Sequence, residues 1–281
     1  MRVLVFGATG QVARGLKAQA DVIALSRADA DLSNPEQCAA VIANADTDVV
    51  INAAAFTAVD KAEEQEDLAT LVNGRAPGAM ARSAAARGLP FIHISTDYVF
   101  DGSGSLPWVP NDPVAPLGAY GRSKLKGEEE VRAAGGLYAI LRTSWVFSAH
   151  GGNFVKTMLR LSETHQTLRV VSDQIGGPTP ADAIASACLS IAKTFNAGMG
   201  KAETYHFSGA PDVSWAEFAR EIFAQAGRDV EVADIPTVDY PTPARRPMNS
   251  RMDCSSLQAE FGIARPDWKA GLSEVLKECM T

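Results

Sequence analysis

The chain has 281 residues, enough for one large domain or two interleaved ones, and its 46% hydrophobic and 21% charged residues are ordinary for a globular protein. A formal net charge of −7 argues against nucleic acid as a partner, although a local basic cluster can still hold a small anion. No apolar run is long enough to span a bilayer and no basic start with a cleavage site marks a secretory signal, so no membrane partner and a cytoplasmic location are expected.

Strand and helix patterns alternate through the first half, which predicts a parallel sheet flanked by helices. The first strand, Val3 to Phe6, runs into Gly7-Ala8-Thr9-Gly10-Gln11-Val12-Ala13 and then a helix. Glycines at 7 and 10 permit a tight turn and a close backbone approach. The helix N-terminus that follows offers amide donors and the positive end of a dipole to a pyrophosphate. Gly7, Gly10, Gln11 and Val12 are therefore candidate dinucleotide contacts, in a Gly-x-x-Gly-x-x-Ala variant of the Rossmann fingerprint.

A second strand, Val22 to Leu25, ends at Ser26-Arg27, where an acidic residue would bind ribose hydroxyls. A serine-arginine pair suits a 2′-phosphate better, and the competing reading is a solvated loop arginine. Asp31-Leu32 follows near the expected adenine position, and Pro35 opens the next helix. The strand Asp48 to Asn52 is followed by Ala53-Ala54-Ala55-Phe56-Thr57. Small residues there let a flat ring or ribose lie against the backbone, or simply allow close packing. Ala53, Ala54, Ala55 and Thr57 join the cofactor candidates. The acidic stretch Asp60 to Asp67 reads as a solvated helical face, and helix continues from Ala69 to Arg87 with Asn73 inside it.

Pro90 to Ser95 is the next strand, and it delivers Thr96, Asp97 and Tyr98 to its carboxyl end. His93 within it reads as a core histidine rather than a catalytic one. The Gly- and Pro-rich segment Asp101 to Gly118 has the character of a binding loop or lid. It leads to Tyr120-Gly121-Arg122-Ser123-Lys124, whose tyrosine and lysine share one helical face. An ammonium about 4 Å from a phenol oxygen favours the phenolate by roughly 4 kcal/mol at an effective dielectric of 20, up to about three pKa units. Such a tyrosine can exchange a proton near neutral pH, as a carbonyl/alcohol reaction requires, and the Thr96 hydroxyl can bond to the same oxygen.

Tyr138 to Arg142 is a further strand, followed by Thr143 to Phe147 with Trp145. A helix is expected within Gly151 to Leu161 with Asn153 near its start, then a strand Thr167 to Ser172. Helix Ala181 to Phe195, strand Tyr205 to Phe207 and helix Trp215 to Ala226 complete the pattern. Arg245 and Arg246, in a proline-bracketed turn, suit a phosphate or diphosphate, the alternative being incidental surface arginines. The four scattered cysteines have no metal-ligand spacing, so free thiols and no bound metal are expected. With no linker or repeat, the fold class is α/β. It is read as a Rossmann-like doubly wound parallel sheet over residues 1–148, with a smaller interleaved substrate-binding region over 149–281 and elements near 180–208 returning to the first.

These residues together resemble the extended short-chain dehydrogenase/reductases and, within that superfamily, the dTDP-4-dehydrorhamnose reductases. Ser95-Thr96-Asp97-Tyr98-Val99-Phe100-Asp101-Gly102 and Arg142-Thr143-Ser144-Trp145-Val146-Phe147 are the specific stretches. Asn52 to Asp60, Asp173-Gln174 with Gly177-Pro178-Thr179, and Ala244-Arg245-Arg246-Pro247 also match, in the family's order. The resemblance implies reduction of the C4 ketone of dTDP-4-dehydro-6-deoxy-L-mannose to dTDP-L-rhamnose, the alternatives being a reductase of another nucleotide-linked 4-keto-6-deoxy sugar or a non-catalytic dinucleotide-sensing subunit; the Ser26-Arg27 pair points to NADPH as the donor, with NADH also used. The resemblance also implies Tyr120 as proton donor, Lys124 as its modulator and a ribose ligand, and Thr96 polarising the carbonyl. Asp97, Tyr98 and Trp145 would line the sugar pocket, with Asn153, Arg245 and Arg246 as further substrate candidates. Some members form a magnesium-linked dimer through a glutamate at the position of Gly15. Glycine has no carboxylate, so a monomer or weak homodimer is expected.

Overall fold

The computed structural model of the protein describes residues 1–280. Strands β1 (Val3–Phe6), β2 (Val22–Leu25), β3 (Val49–Asn52), β4 (Phe91–Thr96) and β5 (Tyr138–Thr143) alternate with helices. Those helices are α1 (Gln11–Gln19), α2 (Pro35–Asn44), the short α3 (Val59–Ala62) and α4 (Glu66–Thr70), α5 (Ala76–Ala86) and α6 (Ala119–Ala134). The second half adds β6 (Val146–Phe147), α7 (Phe154–Leu161), β7 (Thr167–Val171), β8 (Ile175–Gly176), β9 (Thr179–Pro180), α8 (Ala181–Asn196) and β10 (Glu203–His206). Then come β11 (Val213–Ser214), α9 (Trp215–Ala226), β12 (Glu231–Ile235), β13 (Asn249–Ser250), α10 (Ser255–Phe261) and α11 (Trp268–Met280).

The main sheet runs β2-β1-β3-β4-β5-β10 with every pairing parallel. All four residues of β1 and of β3 are buried, as expected of strands covered by helices on both faces. Alternation splits them between two cores: Val3 and Val5 face α1 and α8, whereas Leu4 and Phe6 face α2 and α5. From β1 the chain first moves outward to β2 and then crosses back to β3. The sheet therefore reverses its winding between β1 and β3, and a crevice opens beyond their carboxyl ends.

Gly15 shows why α1 and α8 lie so close. A Cβ on it would stand 2.5 Å from Asp182 Oδ1 and 3.1 Å from Ala185 Cβ. Both α8 and β10, from the second half, pack on this N-terminal sheet. A third core gathers Phe147, Val155, Phe218, Trp268 and Leu272 among α7, α9 and α11, beside the parallel β7–β12 pair.

Three details depart from the sequence reading. The segment expected as one helix from Ala69 to Arg87 is interrupted by a π turn, Leu71–Arg75. The extra residue swings Asn73 inward, where its side chain bonds both the backbone N–H and the carbonyl of Phe56 at 2.7 and 3.0 Å. The acidic stretch is not merely solvated: Glu63 accepts from the Ala119 N–H, and Glu66 pairs with Arg122. The strongest N-terminal signal near residue 151 lies at Asn153, which caps α7, so that helix begins only at Phe154.

Candidate active site

The crevice is a cleft of about 710 Å³ at the carboxyl ends of β1, β3 and β4. At one end the turn after β1 holds Gly7 at φ 99°, and its N–H and that of Ala8 donate to the Leu25 carbonyl at 3.0 and 2.9 Å. A Cβ at Gly7 would sit 3.0 Å from Ala54, so the glycine lets the turns after β1 and β3 touch. Helix α1 opens at Gly10, which has no capping side chain. Its first-turn amides are left for a ligand, and Gly10, Gln11 and Val12 line the cleft.

Ser26, Arg27, Asp31 and Leu32 form the next part of the wall, followed by Ala53, Ala54, Ala55 and Thr57. Ser26 donates from both N–H and Oγ to Asp29 Oδ2, at 2.8 and 2.7 Å. The exposed Arg27 guanidinium reaches Asp31 at 3.0 Å. These hydrogen bonds hold both carboxyls below the usual carboxylate range, Asp29 through Ser26 and Asp31 chiefly through Ser33.

At the other end Thr96, Asp97, Tyr98, Tyr120, Lys124 and Trp145 meet. Thr96 ends β4 and caps the 3₁₀ turn Asp97–Val99, accepting from the Tyr98 N–H at 3.2 Å and donating to Asp97 Oδ1 at 3.0 Å. Asp97 is buried, and its second oxygen accepts from Ser250 Oγ at 2.5 Å. Burial raises its pKa to about 6 against these bonds. Helix α6 carries Tyr120 in its first turn, with the Tyr98 ring edge-on at 5.5 Å.

Lys124, one turn further, is 1% exposed and donates to the Ile94 carbonyl at 2.7 Å. Burial brings its pKa down to about 8, against the attraction of Glu128. The nearby lysine does not lower the pKa of Tyr120. Loss of water around the phenol and then the Asp97 charge push its pKa up, while hydrogen bonding with Thr96 pulls it back. The phenol is thus protonated at neutral pH, the state required of a proton donor. Trp145 stands at φ 49°, a left-handed conformation for a bulky residue, and stacks on Trp215 at 3.6 Å.

Two glycines bring α6 close enough. A Cβ on Gly121 would overlap the Tyr98 carbonyl, and one on Gly127 would overlap that of Asn73. Gly121→Ala is therefore expected to destabilise the fold by about 1–3 kcal/mol, the usual cost of overpacking, and to shift Tyr120 away from Thr96. Thermal unfolding and kcat measured on one preparation check this; an unchanged Tm would mean that α6 does not pack as closely as described.

Every cofactor candidate read from the sequence lines this cleft, as do Thr96, Asp97, Tyr98 and Trp145. Asn153, Arg245 and Arg246 do not. Asn153 spends its amide on Lys156 N–H, the Ser148 carbonyl and Gln11 Oε1, so it braces a cleft residue from behind. Arg246 pairs with Asp60 at 2.9 Å and donates to the Tyr98 hydroxyl at 3.4 Å, whereas Arg245 is exposed and makes no side-chain bond among the described residues. Ser250 escaped the sequence reading: it reaches Asp97 across 153 positions, and no local pattern marks it. Segment 101–118 is strapped down by Asn249, whose amide donates to Ser103 and Leu106 carbonyls at 3.2 and 2.9 Å.

The sequence profile described as "RmlD substrate binding domain" matches residues 1–281. A dTDP-4-dehydrorhamnose reductase of Sinorhizobium fredii is 45% identical over 279 residues, covering 96% of this chain and 94% of that protein. Among solved structures, a dTDP-4-dehydrorhamnose reductase of Clostridium acetobutylicum superposes with a TM-score of 0.94 at 38% identity, covering 100% of both chains. One from Bacillus anthracis, in complex with NADP, gives 0.92 at 33% identity over 99% of each. The profile and these full-length relatives agree with the geometry of the cleft: the chain belongs to the dTDP-4-dehydrorhamnose reductase family.

Proposed function

We propose that the protein reduces the C4 ketone of dTDP-4-dehydro-6-deoxy-L-mannose to dTDP-L-rhamnose with NADPH, the last step in making that activated sugar. The observation that carries this reading is the convergence of Thr96, Tyr120 and Lys124 at one end of a cleft whose other end is a glycine turn and a helix N-terminus. NADPH bound along that cleft supplies the hydride. The protein's own residues do the rest: the α1 amides take the pyrophosphate, Arg27 the 2′-phosphate, and the small side chains of Ala53 to Ala55 let the cofactor lie against the backbone.

Tyr120 delivers its proton to the oxygen that gains charge. Lys124 supplies the adjacent cation, and Thr96 bonds to the reacting oxygen once its hydroxyl turns from Asp97. Tyr98 and Trp145 form the walls of the sugar subsite, and Arg246, bonded to Tyr98, would supply a cation to the diphosphate on releasing Asp60. The buried, unpaired thiols of Cys38, Cys188 and Cys254 suit a cytoplasmic enzyme. A turnover assay with a panel of nucleotide-linked 4-keto-6-deoxy sugars tests the assignment. The dTDP-linked L-sugar should give the highest kcat/KM; preference for another base or sugar would replace it.

Cofactor choice is separately testable. A guanidinium paired with a 2′-phosphate is a charge-assisted contact worth about 1.5–3 kcal/mol, or roughly 10- to 150-fold in affinity. Asp31, held ionised beside Arg27, opposes that gain, so NADPH is expected to be preferred with NADH still used. Arg27→Ala should remove most of the difference in kcat/KM between the two cofactors. Equal use of both by the unmodified protein would contradict the assignment of Arg27.

A further inference from the structure

The imidazole of His93 is fully buried in β4. Its two ring nitrogens have one side-chain partner each among the described residues: Asn52 Nδ2 at 3.1 Å from Nδ1, and Lys124 Nζ at 3.4 Å from Nε2. The protonation pattern follows from the bonds. Asn52 Oδ1 accepts from the Ala54 N–H at 3.1 Å, which leaves the amide nitrogen as the end facing His93. An amide nitrogen only donates, so Nδ1 accepts and carries no proton. Burial and then the charge of Lys124 hold the imidazole well below its usual pKa, so the ring is neutral and its single proton lies on Nε2. That N–H points at the lysine nitrogen.

We infer that His93 is a positioning residue for Lys124: oriented from behind by Asn52, its Nε2–H faces the lysine nitrogen, can hold only the amine form beside the Ile94 carbonyl, and so eases proton loss from the ammonium that the proposed reaction uses. An ammonium has no lone pair to accept this bond, whereas the amine has one. The chain Ala54–Asn52–His93–Lys124 thus links the cofactor-facing turn after β3 to the reactive end of the cleft. The other ionisable groups around the lysine are Glu128 and Tyr120, one turn away on α6, and Asp97 beyond the end of β4. Glu128 favours the ammonium, but Arg142 and Arg132 already claim its oxygens. His93 is the neighbour whose bond distinguishes amine from ammonium in the opposite sense.

The inference rests on the proposed reductase reading for its catalytic meaning, so the test has one arm that needs no substrate. Protein labelled with ¹³C at lysine Cε is titrated by NMR, with the Lys124 signal assigned by its loss in Lys124→Met. His93→Met, which keeps the volume but removes the N–H, should raise the Lys124 midpoint by about one unit, the scale of one hydrogen bond. His93→Gln, whose amide can donate from a similar place, should stay close to the unmodified protein. In the second arm, the alkaline limb of kcat for ketone reduction should move upward in His93→Met and hold in His93→Gln, with KM for NADPH little changed. An unmoved midpoint in a folded His93→Met, or equal shifts in both variants, would overturn the role of His93. Failure of the unmodified protein to reduce the keto-sugar would instead overturn the reductase reading, and the titration would still decide the inference.

Discussion

Replacing Tyr120 by phenylalanine is expected to lower kcat by at least about 10²-fold, the lower end of what a positioned proton donor contributes. The substitution removes one hydroxyl and leaves the ring that packs edge-on against Tyr98. Binding of NADPH, followed by quenching of protein fluorescence, should be nearly unchanged, because the contacts of the glycine turn and Arg27 lie at the other end of the cleft. A fall in kcat and kcat/KM together would mark an interaction made in the transition state. Near-normal turnover in Tyr120→Phe would mean that water or another side chain delivers the proton.

The largest effect on stability is expected at Arg142. Its guanidinium grips Glu128 with two bonds, Nη2 to Oε2 at 2.7 Å and Nε to Oε1 at 2.9 Å, and both side chains are almost wholly buried. Ser95 donates to the same carboxylate at 2.6 Å, and Arg132 approaches at 3.2 Å from the edge. Together these partners hold the Glu128 carboxyl below its usual pKa in spite of burial. Arg142→Leu leaves a buried charge with only its weaker partners, a change that typically costs about 3–5 kcal/mol. It also removes the bond to the Pro110 carbonyl and the cation over Phe100, so the 101–118 segment should loosen first. Urea unfolding should show the loss, and Glu128→Gln combined with Arg142→Leu should recover part of it. A single variant as stable as the unmodified protein would mean that the pair contributes nothing net.

Much of this site was legible because its chemistry is local in sequence. The turn at Gly7 and Gly10, the Ser26-Arg27 pair and the Tyr120/Lys124 spacing each sit at the end of one strand or the start of one helix. The parallel sheet then brings those ends to one edge. What escaped is what long-range packing creates. Ser250 meets Asp97 only because β13 folds back from the second half of the chain. Arg246 carries a positive charge suited to a diphosphate, yet in the folded protein it is already paired with Asp60. Asn153 is spent as a helix cap. The lysine was expected to lower the tyrosine pKa through proximity alone, but a spacing of four does not report desolvation. Burial and then Asp97 raise the Tyr120 pKa instead. His93 was legible as a core residue, and only the positions of Asn52 and Lys124 give its two nitrogens different tasks.

The fate of the transferred hydrogen tests the proposed reduction. NADPH carrying deuterium at both nicotinamide C4 positions is incubated with the protein and dTDP-4-dehydro-6-deoxy-L-mannose, and the product is analysed by NMR. The expected product is dTDP-L-rhamnose with one deuterium at C4 of the sugar, formed mole for mole with NADP⁺ and greatly slowed in Tyr120→Phe. Deuterium at another carbon, a product of different configuration at C4, or oxidation of NADPH without reduction of the sugar would contradict it.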